Sequence, residues 1–237
     1  GRGSGGGDSF DFDHRWGRSD CIFLQRGRQT NAMESFETPA LHAAVLAAGP
    51  STRFGSPKPL VRLGGTPIVH QAAARAAAVA GHSVTIVLGA NAREIAPALR
   101  QSAAAVVVNR DWEEGLASSI RTAVRSAPPR CDGLLLMLCD QVAVTADDLR
   151  RLHVAWRRHP ILIVAALHGG APGLPAIFPR WAFSDLLELR GDRDPRLLLR
   201  RSTDRLVRVP MSNAAVDLDT PEDLLLIETR AAEPTAD

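Results

Sequence analysis

From Leu41 onward, short runs of Val, Ile, Leu and Ala alternate with segments whose apolar residues recur at helical spacing. No other feature constrains the fold so strongly. A strand covered by helices on both faces reads as a continuous apolar run, not as in–out alternation. The runs "LHAAVLAA", "SVTIVLG", "AAAVVVN", "GLLLMLCD" and "ILIVAAL" have this form. Between them lie helical patterns: Thr66–Pro67 as N-cap and first position of a helix to Ala80, and "NAREIAPALRQ" opened by Asn91 but interrupted by Pro97. "GLASSIRTAVRSA" sets Leu116, Ile120 and Val124 on one face, and Thr145 to Asp148 resembles a capping box, with Asp for the usual Glu, opening a helix to about Arg158. "DRLVRVP" and "AAVDLD" read as short strands, and "TPEDLLLIETRAA" as a helix capped by Thr220. The expected fold is a Rossmann-like, three-layer α/β/α domain with a mostly parallel sheet.

Residues 1–38 differ in kind. They are rich in Gly, Ser and Asp without sustained periodicity, and read as a disordered leader or an added extension, with Met33 a plausible native start and a single domain over 39–237. A net charge of +2 over 237 residues gives neither a nucleic-acid coat nor a polybasic membrane patch, so neither partner is expected. The chain has no tyrosine, and 5% aromatics leave little for base stacking. Three cysteines in no zinc spacing read as free thiols in a reducing cytoplasm.

In parallel α/β sheets ligands sit beyond the carboxyl ends of the strands. The loop after the first run, Gly49 to Lys58, combines small residues with Arg53 and Lys58. Small residues let backbone N–H groups approach an anion, and the two cations reach oxygens from different distances. The order matches neither the Walker pattern nor G-x-G-x-x-G. Lys58 is also the only lysine in a chain with 28 lysine and arginine residues. A compact ammonium does what a guanidinium cannot copy in a tight site, so chemistry is a reason for its retention.

Asp140 ends a buried run and reads as a magnesium ligand or as a turn cap. Asp217 and Asp219, at alternation spacing, offer further carboxylates. Asn109 ends another run, with Ser118 and Ser119 near the following helix start. These either face a ligand or hold the loop. "GDRDPR" sets Arg193 and Arg196 beside Asp192 and Asp194, downstream of "HGGAPGLPAIF". The pair of segments can clamp a second anionic ligand or form a plain charged loop. Cys139 beside a carboxylate reads as a buried small residue, not a nucleophile.

These pieces, in order, resemble the MobA-like nucleotidyltransferases. "LAAGPSTRFGSPKPL" is similar to that family's L-A-[AG]-G-x-S-x-R-[MF]-G-x-x-K loop, "NRDWEEGLASSI" to its N-x-x-[WY]-x-x-G-[ML]-x-[ST]-S stretch, and "LLLMLCDQV" to its strand ending in G-D-Q-P. "GLPAIF", "LLELRGDRDPRLLL" and "VDLDTPEDL" resemble further blocks, so the likeness spans about residues 41 to 230. Alanine at position 48 and the later blocks are more like the molybdenum cofactor cytidylyltransferases than the guanylyltransferase branch.

The resemblance implies a nucleotide-diphospho-sugar transferase type of fold. It implies an NTP substrate, CTP above others, with Mg²⁺, and a molybdopterin-type acceptor bearing molybdenum. A molybdoenzyme or its chaperone is the implied partner. Lys58, Arg53 and Asp140 take the catalytic roles: Lys58 at the reacting α-phosphate, Arg53 on the β- and γ-phosphates, Asp140 on the metal with Asp219. Leu46, Ala47, Ala48, Gly49 and Ser51 line the nucleotide, with Asn109, Gly115 and Ser119 as a further wall. Gly173, Pro175, Asp192 and Arg196 fall on the acceptor side. The sequence departs from the family pattern at Cys139, Val142 and within "GDRDPR". Transfer of another nucleotide, a different phosphorylated acceptor, and a non-catalytic cofactor carrier are the rival readings. The presence of Arg53, Lys58, Asp140 and Asp219 together weighs against a carrier.

Overall fold

The structure is a computed structural model that describes residues 39–191 and 195–232; the leader over residues 1–38, and with it Cys21, lies outside them, as does Asp192. Strands β1 (Leu41–Ala47), β4 (Val84–Leu88), β5 (Ala105–Val108) and β6 (Gly133–Leu138) form with β7 (Ile163–His168), β8 (Ala171–Pro179) and β9 (Leu206–Pro210) a seven-stranded sheet in the order β5-β4-β1-β6-β8-β7-β9. All neighbours are parallel except those of β8, which runs antiparallel to both β6 and β7. The expected mostly parallel α/β/α architecture is the one observed.

Register explains the apolar runs. Val45 pairs with Ile86 on one side and Met137 on the other, so β1 has no edge. Its alternate residues enter two separate cores. Val45 and Ala47 join Ile86, Leu135 and Met137 beneath α1 (Ile68–Ala80) and α4 (Ala146–Arg158). Ala44 and Leu46 join Leu134 and Leu136 against α3 (Leu116–Ser126) and α5 (Phe183–Leu187). Both faces are therefore apolar, as a strand buried between helices requires. Gly133 brings α4 close: a Cβ there would stand 2.3 Å from the Trp156 ring. The capping box at Thr145 is present in both arms, and Ile120 and Val124 of α3 are buried, with Leu116 packed against the same cluster. No helix among the described residues is long and apolar enough to cross a membrane.

Several local expectations are corrected. Thr66–Pro67 does not start a helix: it is β3, paired with β2 (Arg62–Leu63) across Gly64 and Gly65, whose φ values of 58° and 80° build the tight turn. The helix begins at Ile68. The Asn91 helix, α2 (Ala92–Ile95), lasts one turn and tightens to a 3₁₀ turn over Ala96–Leu99, where Pro97 removes a donor. "AAVDLD" is no strand. A 3₁₀ turn over Ser212–Ala215 leads into an irregular run before α7 (Pro221–Ala232). Finally, β8 was unanticipated. It carries Pro172, Pro175 and Pro179, and between its pairs to Ala165 and Ala166 the residues Leu174 and Pro175 bulge out of the ladder.

Candidate active site

The chain leaves β1 toward β4 on one side and returns as β6 on the other, so a crevice opens where β1 and β6 end. It is a cleft of about 210 Å³ whose walls are the end of β1 at Leu46 and Ala47, the Gly49–Arg53 loop, Lys58, Asp140 and Asp219. Ser51 shapes the loop. Its φ of 57° is left-handed, its carbonyl accepts the N–H groups of Phe54 and Gly55, and its Oγ accepts the Lys58 N–H at 3.0 Å. The chain then enters a 3₁₀ turn at Lys58 with Pro59 buried beneath it.

Lys58 Nζ donates to Asp140 Oδ2 at 2.7 Å and to Asp219 Oδ1 at 3.1 Å, while the Arg53 guanidinium reaches Asp219 Oδ2 at 3.0 Å. The Lys58 side chain is 16% exposed and that of Arg53 71%, so one cation lies within the cleft and the other at its mouth. Burial works against the Lys58 ammonium, but Asp140 and then Asp219 outweigh it and hold its pKa above the ordinary lysine value. Asp217 stands near the same group. Burial first, then the charges of Asp140 and Asp219, push its carboxyl up to about 6, against the pull of Lys58 and Arg196.

The carboxylates arrive from distant segments. Asp140 follows β6. Asp219 precedes α7, whose Thr220 and Asp223 form a reciprocal cap: Thr220 N–H donates to Asp223 Oδ2 at 2.8 Å and Asp223 N–H to Thr220 Oγ1 at 3.3 Å. With capping done by Thr220, the Asp219 carboxylate is left to the cations. The Leu218 N–H donates to the Asp140 carbonyl at 3.0 Å and joins the two segments.

Among the described residues no three His, Cys, Asp or Glu side chains form a group able to hold a metal ion on their own. A pair of carboxylates is nevertheless what a magnesium-type cation uses when substrate phosphates and water complete its shell. The oxygen donors of Asp140 and Asp219 fit such an ion.

Other expected residues are not on the wall of this cleft. Asn109 is buried, and its amide donates to Ser118 Oγ at 2.8 Å and Ser119 Oγ at 3.1 Å while its Oδ1 accepts the Asp111 N–H. Gly115, at φ 106°, closes that loop and its carbonyl accepts from Ser118. This trio ties the end of β5 to α3. Ala48 is buried too, and its carbonyl accepts the Ala90 N–H at 3.0 Å. Gly173 and Pro175 sit buried in β8. A Cβ on Gly173 would meet His168 Nε2 at 2.7 Å and Arg196 Nε at 3.4 Å, so the glycine lets α6 (Arg196–Arg201) approach β8. Cys139 is buried, and burial with the adjacent Asp140 raises its thiol pKa far above neutrality.

Asp217, Gln141 and His168 also stand close to these segments, and only the first has any prominence in the sequence. A third acid two residues before Asp219 was the available signal for the first. Also unforeseen is an ion pair of buried Arg121 with Glu114, whose Oε1 accepts the Gly191 N–H at 3.2 Å and fastens the start of the "GDRDPR" segment to α3.

The chain is 32% identical over 126 residues to the nicotine blue oxidoreductase of Paenarthrobacter nicotinovorans, a match over 53% of this chain and 61% of that protein. It is 23% identical over 133 residues to the molybdenum cofactor cytidylyltransferase of Escherichia coli K12, over 56% of this chain and 67% of that one. Among solved structures, Rv0371c of Mycobacterium tuberculosis H37Rv superposes with a TM-score of 0.71 at 26% identity, over 81% of this chain and all of that one. The same protein has been solved in complex with manganese, at a TM-score of 0.65 and 27% identity over 80% of this chain and 98% of that one. Residues 43–207 match the MobA-like NTP transferase domain, and the chain belongs to that family of nucleotidyltransferases.

Proposed function

We propose that the chain transfers CMP from CTP to the phosphate of molybdenum-bearing molybdopterin, with release of pyrophosphate. The observation that carries this reading is the position of the chain's one lysine, between Asp140 and Asp219 in the cleft at the end of β1. The 23% identity to a molybdenum cofactor cytidylyltransferase and alanine at position 48 support CTP and this acceptor.

An oxygen of the acceptor phosphate attacks the α-phosphorus of CTP. As that P–O bond forms, the bond from the α-phosphorus to the oxygen bridging to the β-phosphate breaks, and pyrophosphate leaves with the electron pair. No protein nucleophile takes part, in keeping with the neutral thiol of Cys139. Lys58 stabilises charge growing on the α-phosphoryl group and Arg53 the departing pyrophosphate. Ser51 fixes the backbone of Lys58, and Asp140 and Asp219 keep its ammonium protonated. Magnesium, when bound by Asp140 and Asp219, supplies neutralisation of the phosphate oxygens. Leu46, Ala47 and Gly49 line the nucleotide. Asn109, Gly115 and Ser119 support it from behind by holding their loop. Gly173 and Pro175 shape the backbone of β8 beside Arg196, which meets the acceptor, and a cytoplasmic molybdoenzyme or its chaperone receives the product.

The test is pyrophosphate release from CTP, GTP, ATP and UTP in turn, with Mg²⁺ and molybdenum-loaded molybdopterin, in the parent chain and in Lys58→Ala and Asp140→Ala. Release from CTP alone, lost in both variants, supports the reading. Release from GTP keeps the chemistry and reassigns Ala48. Tight pterin binding without release points to a carrier.

A second reading comes from the 32% identity to an oxidoreductase. Under it the same cleft binds a nicotine blue type of dye together with an added reductant, such as a reduced nicotinamide, that supplies two electrons as hydride, and the readout is a reductant-dependent change in the dye's absorbance without pyrophosphate release.

A further inference from the structure

Gln141 follows Asp140, is 2% exposed, and has no part in the chemistry above. Its side chain joins three segments that are far apart in sequence. Oε1 accepts the Leu138 N–H at 3.3 Å at the end of β6. Nε2 donates to the Leu174 carbonyl at 2.8 Å and to the Ala214 carbonyl at 3.1 Å. Leu174 lies in the β8 bulge next to Gly173, and Ala214 lies in the 3₁₀ turn that leads into the run carrying Asp217 and Asp219. Both donors of the amide are thus committed, each to a carbonyl that no apolar side chain could satisfy.

The turn itself has separate support. Arg75 of α1 donates to the carbonyls of Val142 at 2.7 Å and Val144 at 2.8 Å from the other side. Loss of Gln141 therefore leaves the turn anchored to α1 and, through the Leu218 N–H on the Asp140 carbonyl, to the Asp217–Asp219 run, and removes its side-chain links to β8 and to the Ala214 turn ahead of that run.

We propose that Gln141 is a positioning residue that sets the spacing between Asp140 and the Asp217–Asp219 segment, and through it the affinity for a divalent cation. The inference rests on the reading of Asp140 and Asp219 as the metal ligands. Partners that orient metal ligands are worth about 10–100-fold in affinity.

The experiment is an electron paramagnetic resonance titration of Mn²⁺ in the presence of CTP, on Gln141→Met, Gln141→Asn, Asp140→Asn and, as a control for stability alone, Ile120→Val. Gln141→Met, similar in length but without an amide, is expected to bind Mn²⁺ about 10-fold more weakly. Gln141→Asn, too short to reach both carbonyls, should show a smaller loss in the same direction. Pyrophosphate release by both should recover as Mn²⁺ is raised. Ile120→Val should lose thermal stability but keep parental Mn²⁺ affinity. Parental affinity in folded Gln141→Met overturns the proposal. If that variant does not fold, parental affinity in Gln141→Asn does so. Parental affinity in Asp140→Asn instead overturns the metal reading itself.

Discussion

The ammonium of Lys58 stands 2.7 Å from the carboxylate of Asp140, across 82 residues of sequence. The contact joins the loop after β1 to the end of β6, its parallel neighbour, at the carboxyl ends of both strands. Removing the lysine leaves Asp140 and Asp219 facing each other without their shared cation. Lys58→Ala is expected to lower turnover by about 10²–10³, the usual loss for one transition-state donor. Lys58→Arg should restore little, since a planar fork does not replace a point charge at that depth. Pyrophosphate release in variants with parental circular dichroism is the measurement; near-parental turnover in Lys58→Ala would defeat the assignment.

Chelation should abolish turnover. Two carboxylates, with no third protein ligand among the described residues, give a weak site that needs substrate oxygens, so EDTA should strip the metal readily and either Mg²⁺ or Mn²⁺ should restore activity. Full turnover in EDTA would remove the metal from the mechanism.

His42 makes stability depend on acid. It is buried in β1, with Nδ1 2.8 Å from Ser83 Oγ and Nε2 3.1 Å from Thr85 Oγ1, and burial lowers its pKa to about 4. The unfolded chain takes up the proton near 6.5, before the folded chain does. The neutral ring's contribution is whole above pH 6.5 and is lost as pH falls toward 4, by roughly 3 kcal/mol at most. Urea unfolding at pH 7 and pH 4.5 measures the loss, and His42→Gln should flatten it.

Gly133→Ala should destabilise the fold by about 1–3 kcal/mol, since the added methyl overlaps the Trp156 ring and one element must move. Denaturant midpoints provide the check. Gly133→Ala with Trp156→Phe should recover part of the loss if the overlap is its cause.

The legible parts of this fold were those governed by local pattern. Strands β1, β4 and β6 announced themselves because both their faces are buried, and Thr145 announced α4 because its capping box lies within four residues. The strand β8 was hidden: its prolines and glycine mimic a loop, and only its pairing to β6 and β7 makes it a strand. In the site, Lys58, Arg53, Asp140 and Asp219 could be named because each follows a strand or precedes a helix. Their meeting is tertiary, as is the linkage made by Gln141. Asn109 reads from the sequence either as facing a ligand or as holding its loop; its amide nitrogen donates to Ser118 and Ser119, a pairing that no spacing rule foretells.

The solitary lysine also gives the protein an unusual reactivity profile. Every other cationic side chain that stays charged is a guanidinium, inert to acylating reagents and to aldehydes under mild conditions. Apart from the chain terminus, amine chemistry has a single address, and that address is the floor of the cleft. The carboxylates that hold the ammonium protonated also withhold the lone pair such reagents need. A molecule rich in surface arginine thus presents to electrophiles almost no side-chain amine, and keeps the one it has behind its own acids.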